Sequence, residues 1–390
     1  MDKIYNTQEE IASKIKEFLQ KSIPNIRKTQ LNIIPYIIIG MILSESSVAS
    51  DISKQLKDEF SLVKHESVVK RIKRLFNNKL FDPYDFYDKI IKSIISSYKL
   101  KHSDRRVHVI FDHMFSHDNY TVFMITMRVG KQGIPLWFRC FKGKSDPNAF
   151  NISFLKDGIT HVSNLFKNTG FELIFLADRW FNSTELLSHI ESLGHTYCVR
   201  LKGYIKVYLN NNGIDKCVRV QKISSQKTRT KHFKNVPITD NKYITNIVIS
   251  SNENVKEPWI IVTNGDSKRA IRDYSYRYGG IETVFKNQKS NGFYIEDTVK
   301  ANLKYFESMY TLVCFSTLFL VIFGADYTKN TKVYEKHKLD THRKINGKLT
   351  RIISLFNIGL TLFKRAFNSR TYIRIPFLFT LYDVWHYFTF

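Results

Sequence analysis

Three acids in this chain stand where carboxylates could hold divalent metal ions. Asp112 directly follows the apolar run VHVIF, and Asp178 follows LIFLA in the same way. Acids that emerge at the ends of buried strands in one sheet can converge, and their oxygens suit hard cations such as Mg²⁺. An Asp after a strand also serves as an ordinary turn or helix-cap residue. Glu282 lies in YSYRYGGIETVFKNQKSNGFYIEDT, where steps of four and seven residues place Lys286 and Lys289 on its side of a helix. An exposed Glu–Lys pair at that spacing is common. Here Ile281, Val284 and Phe285 also give the helix a face to bury, and Arg277, Lys286 and Lys289 surround a single acid. A metal-binding carboxylate flanked by cations suits phosphate chemistry.

A second constellation overlaps the first. Asp112, His113, His117 and Asp118 form D-H-x-x-x-H-D, which offers nitrogen and oxygen ligands close together, as a zinc-dependent hydrolase of small substrates would need. The chain's charge has no role in that reading. Lys and Arg number 60 against 35 Asp and Glu, a formal net charge of +25 over 390 residues. Such a surplus favours a polyanionic partner through counterion release and electrostatic steering. Nucleic acid is the first expectation and a membrane surface the second, although an AT-rich genome also inflates lysine without any functional cause.

The elements that must position these residues are legible from periodicity. Residues 1 to about 100 carry apolar positions at helical spacing, as in IASKIKEFL and SVVKRIKRLF. SVASDISKQL, a short break and KHESVVKRIKRLF outline a helix-turn-helix with Lys70, Arg71, Lys73 and Arg74 on its second helix. A charged solvent face on a packing helix gives the same pattern. From Arg106 come VHVIF, YTVFMITMRV and GIPLWFRCF, three strands separated by turns; then a helix, the strand ELIFLA, a helix and the strand HTYCVRLK. Three strands, helix, strand, helix, strand is the order of an RNase H-like core, a mixed sheet with helices on its faces.

Residues 201 to about 270 read as an all-β insertion with a basic patch at Lys227, Arg229, Lys231 and Lys234; after Tyr274 the pattern is helical again. The expected domains are therefore a helical N-terminal DNA-binding domain over 1–100 and an RNase H-like core over 101–200 and 271–325. The β-insertion over 201–270 splits that core, and a basic helical region over 326–390 follows it. From Ser308 to Ala325 no residue is charged, which approaches the length of a membrane span, ~20 apolar residues. The serines and threonines within it favour a buried core helix, with no membrane role.

Cys140, Cys198, Cys217 and Cys314 lie far apart with no C-x-x-C pair, which argues against a zinc ribbon or a disulfide framework and fits a reducing cytoplasm. The polar start MDKIYNTQEE has no apolar run of signal-peptide type.

Asp112 after its strand, LADRWF around Asp178, and Y-x-x-R followed by I-E-x-x-F-K-x-x-K-S-x-G-F-x-x-E-D-T together resemble the DDE transposases of bacterial insertion sequences. The resemblance covers most of the chain. It implies Asp112, Asp178 and Glu282 as catalytic ligands of two Mg²⁺ or Mn²⁺ ions, and Tyr274, Arg277, Glu282 and Lys289 as the family's Tyr-Arg-Glu-Lys signature. Arg277 and Lys289 would contact phosphates of the element's ends. The family pattern places the Arg four residues before the Glu; here the separation is five, with Gly279 and Gly280 between. Trp259 resembles an aromatic that receives a base flipped from the DNA end in some members, although a core tryptophan explains it as well. The implied partner is double-stranded DNA, bound by a homodimer that holds two inverted-repeat ends. A non-enzymatic, repressor-like relative is the alternative within the same family.

Overall fold

The structure, a computed structural model, describes residues 7–56, 63–96, 106–116, 119–144, 146–211, 214–223, 230–251, 257–298, 302–332, 338–345 and 347–369. His117, Asp118, Lys227 and Arg229, and the end of the expected C-terminal region from residue 370, lie outside the described residues.

Five helices open the chain: α1 (Thr7–Ser22), α2 (Lys28–Ser44), α3 (Ala49–Lys54), α4 (His65–Phe76) and α5 (Pro83–Ser96). Helix α2 is apolar nearly all round, and most of it is buried. Helix α4 is one-sided, with Val68, Ile72, Leu75 and Phe76 buried and Lys70, Arg71, Lys73 and Arg74 exposed, the i, i+4, i+7, i+8 stripe of an amphipathic helix. It packs against α2, α3 and α10 (Leu303–Lys329). Ten residues, 55–64, separate α3 from α4. Of these, 57–62 lie outside the described residues, so the structure describes the expected motif only in its two flanking helices.

The core follows the expected order. Strands β1 (Arg106–Ser116), β2 (Tyr120–Val129) and β3 (Gln132–Lys142) form an antiparallel meander. After α6 (Ile152–Leu165), β4 (Glu172–Ala177) pairs parallel to β1; after α7 (Thr184–Ser192), β5 (Thr196–Arg200) pairs parallel to β4. The result is the mixed α/β, RNase H-like arrangement with strand order β3-β2-β1-β4-β5. Alternation along β3 shows how its two faces are used. Trp137 packs on Phe154 of α6, whereas Phe138 packs on Tyr87 of α5 and Tyr310 of α10.

Strands β6 (Lys206–Asn211), β7 (Ile214–Arg219), β8 (Lys231–Ile238), β9 (Tyr243–Ser250) and β10 (Trp259–Thr263) fill the expected insertion. They do not close a sheet of their own. β10 pairs antiparallel with β5, and the strands extend the core sheet to ten in the order β3-β2-β1-β4-β5-β10-β9-β8-β6-β7.

Helices α8 (Ala270–Ser275) and α9 (Ile281–Lys289) then return over the sheet, and α10 follows. Among the described residues α10 is the one helix long and apolar enough to cross a membrane, and its apolar window is wholly buried inside the protein. The region after it is not purely helical: a hairpin of β11 (His342–Ile345) and β12 (Lys348–Arg351) precedes α11 (Leu355–Ser369). Helices α10 and α11 meet backbone to backbone at two glycines. A Cβ on Gly324 would fall 1.9 Å from the Leu355 carbonyl oxygen, and one on Gly359 would fall 2.1 Å from that of Leu320.

Candidate active site

Register brings the first two acids to one level. Ile110 of β1 pairs with Leu176 of β4, so Asp112 and Asp178 each stand two residues beyond that rung, on the same face by strand alternation. Strand β4 ends at Ala177, whereas β1 runs on to Ser116 beside β2, pairing Asp112 with Met124. Asp112 therefore lies within a strand, at the point where its parallel neighbour stops, and not after the strand as the apolar run suggested. Asp178 caps a 3-10 turn, Arg179–Phe181, accepting the Arg179 amide at 2.7 Å. Asp112 Oδ1 accepts the His113 amide at 2.9 Å.

Glu282 arrives on the second residue of α9. Gly279 has φ +78°, and a Cβ on Gly280 would lie 2.2 Å from Ile110 Cδ1. Only glycine lets the chain turn there and start α9 tight against β1. The pair forms the turn between Arg277 and Glu282.

Arg277 joins the acids. Its Nη2 donates to Asp112 Oδ2 at 2.6 Å and its Nη1 to Glu282 Oε1 at 3.3 Å, with the arginine side chain 8 % exposed. Burial lowers the pKa of this guanidinium, but the negative charges of Asp112, Asp178 and Glu282, with the Tyr274 phenol, outweigh it and hold it above the ordinary value. Burial pushes the Asp112 carboxyl up, Arg277 and the His113 amide pull it down, and the neighbouring charge of Asp178 adds to the upward shift that results. All three acids thus act on one cation.

Helix α8 delivers that cation, and it is fixed by a second ion cluster that sequence reasoning missed. Asp273, nearly fully buried, accepts from Arg106 Nη2 and His108 Nε2, both at 3.1 Å. Arg106, His108 and Asp112 alternate along one face of β1, so α8 is held to the strand at Asp273, and the turn that follows it is held again at Arg277. The signal available in the sequence was the alternation of R-V-H-V-I-F-D.

The donor set fits a hard cation: three carboxylates with only oxygen to offer. Two buried polar groups at the cluster, the Tyr274 hydroxyl and Arg277 Nε, have no hydrogen-bond partner, and Tyr274 lies close enough to Asp178 for that charge to raise its pKa further, after burial, the largest cause. As the side chains stand, no three His, Cys, Asp or Glu groups among the described residues form a ready metal cage. Arg277 bonds two of the carboxylates, Asp112 and Glu282, and offsets part of their charge.

The other expected site residues divide. Lys286 is exposed on the Glu282 side of α9. Lys289 turns inward, 2.9 Å from Glu296 Oε1 and donating to the Phe115 carbonyl, so it ties the end of α9 to β1. Trp259 is half-buried, stacked on Tyr278 at 5.6 Å and edge-on to Tyr274 at 5.3 Å. Its ring packs against these two tyrosines and stays partly exposed. His113 cannot serve the zinc-type constellation as it stands. Strand alternation turns it to the opposite face from Asp112, where Nε2 donates to the Ala149 carbonyl at 2.8 Å and the ring stacks on Phe181. Burial pushes its pKa down to about 4. A residue singled out only for its neighbours, Trp180 of LADRWF, is 74 % exposed, two positions after Asp178.

Comparison with known proteins gives one family. The model for the transposase DDE domain matches residues 103–319, more than half of the chain and the whole stretch that carries the three acids. Comparison with curated proteins finds no match. Among solved structures, the crystal structure of human ENDOV aligns over 48% of this chain and 86% of its own, at 8% identity and a TM-score of 0.26.

Proposed function

The chain belongs to the DDE transposase family, and from that premise we propose that it binds the ends of a bacterial insertion sequence and cuts and joins DNA there. The observation that supports this reading is that Arg277 bonds both Asp112 and Glu282, with Asp178 brought level with Asp112 by the β1–β4 register.

Asp112, Asp178 and Glu282 would hold two Mg²⁺ or Mn²⁺ ions. When bound, such ions activate the attacking oxygen and stabilise the leaving oxygen of an in-line displacement. Asp112 and Asp178 position from the rigid sheet, while Glu282 positions from the first turn of α9. Arg277, displaced from Asp112 and Glu282, offers a planar fork of donors to a phosphate oxygen. Lys286, on the open side of the same helix as Glu282, adds a second cation for the strand. The exposed row Lys70, Arg71, Lys73 and Arg74 on α4 suits duplex backbone contacts outside the site. Coupled cutting of two ends calls for a homodimer on DNA.

The test is cleavage of a DNA fragment carrying the sequences that border the coding region. Asp112→Asn should abolish Mg²⁺-dependent cutting and leave retention of the fragment in a gel-shift assay unchanged. Undiminished cutting by that variant would remove Asp112 from the site. A wild-type protein that binds the fragment without cutting it would favour the repressor-like relative.

A further inference from the structure

Trp180 is the most exposed of the large apolar side chains among the described residues, at 74 %. Folding does not require this. The 3-10 turn that carries it is anchored by its neighbours, Asp178 capping one end and Phe181 buried at the other, edge-on to Phe111 at 4.9 Å. Phe181 takes the inward position, and Trp180 is thereby held outward on a turn that cannot easily rearrange. Leaving an indole in water forgoes a large burial gain, since aromatic side chains bury roughly 150–250 Å² each.

A cation stands over the ring. Lys202, just beyond the end of β5, places Nζ 4.8 Å from the ring centroid. The nearby carboxylate, Glu257, is occupied by Arg179 and Arg200, each at 3.2 Å, so its charge does not stand unopposed beside the ring. Tyr204, two residues past Lys202, is also exposed. A largely exposed aromatic ring with a mobile lysine over one face can stack an unpaired base while the ammonium moves to the adjoining phosphate.

We propose that Trp180, with Lys202, is a stacking platform for a nucleobase of a DNA strand led past Asp178 into the acid cluster. The proposal rests on the reading of that cluster as a DNA site, and it assigns to Trp180 a contact that the sequence had offered to Trp259. The ring stacks, the ammonium meets the neighbouring phosphate, and the strand is registered against Asp178 at the head of the same turn.

The probes are a 20-nucleotide oligothymidylate and a blunt duplex of equal length, both in EDTA, so that binding is read without metal or cleavage. Oligothymidylate should quench the wild-type tryptophan fluorescence, and Trp180→Phe should lose that quench. Trp180→Ala should weaken oligothymidylate binding roughly five- to 150-fold, the range for one stacked base, with little change for the duplex. Trp180→Phe should bind more tightly than Trp180→Leu, a pair of similar bulk that decides the matter even if the alanine variant folds poorly. Equal binding by the Phe and Leu variants, or an undiminished quench in Trp180→Phe, would overturn the proposal. Because no cleavage is read, loss of cutting in Asp112→Asn tests the acid cluster separately.

Discussion

Arg277 Nη2 lies 2.6 Å from Asp112 Oδ2, with the arginine side chain 8 % and the aspartate side chain 25 % exposed. A buried arginine in contact with a metal-type carboxylate offsets part of the site's negative charge before any ion or phosphate arrives. A cation that takes Asp112 must therefore displace Arg277, and the guanidinium so released is placed to meet the anionic substrate.

Removing Arg277 should separate its two roles. Arg277→Ala leaves Asp112 beside Asp178 without a counter-charge, and breaking such a pair costs about 3–5 kcal/mol when fully buried, less here because Asp112 is partly exposed. The variant should melt earlier than wild type in EDTA, and Mn²⁺ should raise its melting temperature by more than it raises that of wild type. Equal Mn²⁺ shifts in the two proteins would show that Arg277 does not compete with a cation.

The anchor of α8 gives a different signature. Asp273→Asn keeps the shape of the side chain but removes the charge that faces Arg106 and His108. Burial raises the Asp273 pKa, and the His108 hydrogen bond with the Arg106 charge lowers it further than that, leaving it depressed overall. A depressed acid stabilises the fold above its unfolded pKa, about 3.9, and that contribution is lost as pH falls through the lower folded value. The wild type should therefore show a stability loss in the acid range that Asp273→Asn lacks, measured by urea melts at stepped pH. Cleavage should fall in the variant at neutral pH, because Arg277 and Glu282 are carried by the segment it holds.

His113 predicts a pH effect in a separate window. Its folded pKa is about 4, below the ordinary 6.5. As pH falls below 6.5 the unfolded chain takes up the proton first, so stability declines until about pH 4. Between pH 7 and pH 5 the loss should be roughly 2 kcal/mol, by the 1.36 kcal/mol per pKa unit of linkage. His113→Phe, in a site already lined by Phe123, Phe150 and Phe181, should flatten that slope. A slope unchanged by the substitution would place the titration elsewhere.

The crossing of α10 and α11 offers a test of the fold. Gly324→Ala must push the helix backbones apart, because the nearest atom is the Leu355 carbonyl oxygen and not the tip of a flexible side chain. Overpacking of this kind costs about 1–3 kcal/mol or more. Gly347→Ala, at an open hairpin position with φ +77°, meets no neighbour and carries only the backbone strain, about 1–2 kcal/mol. Thermal denaturation should rank Gly324→Ala as the more damaging change.

Local pattern carried the fold well where neighbours in sequence are neighbours in space. VHVIF, ELIFLA and HTYCVRLK declared buried strands, and the two aspartates declared themselves as the first acids after them. The helix bearing Glu282 was legible from Ile281, Val284 and Phe285. What stayed hidden depends on distant partners. The end of β1 is set by pairing with β2, so Asp112 lies inside a strand whose apolar run stops at Phe111. The strands from β6 to β10 alternate as any antiparallel strands would, and nothing in them announces that β10 completes the edge left by β5. The roles of Arg106, His108 and Asp273 span more than 160 residues. Trp180 and Trp259 are equally plain as letters; only packing shows that one ring is stacked on Tyr278 and the other is largely exposed beneath Lys202.

The most direct measurement is localised cleavage of the polypeptide by Fe²⁺ bound in place of Mg²⁺, with peroxide and ascorbate, and the cut sites read by mass spectrometry. One shared metal centre predicts cuts clustered near Asp112, Asp178 and Glu282 together, all suppressed by excess Mg²⁺ and by Asp112→Asn. Cuts confined to one of these segments, or clustered elsewhere in the chain, would contradict it.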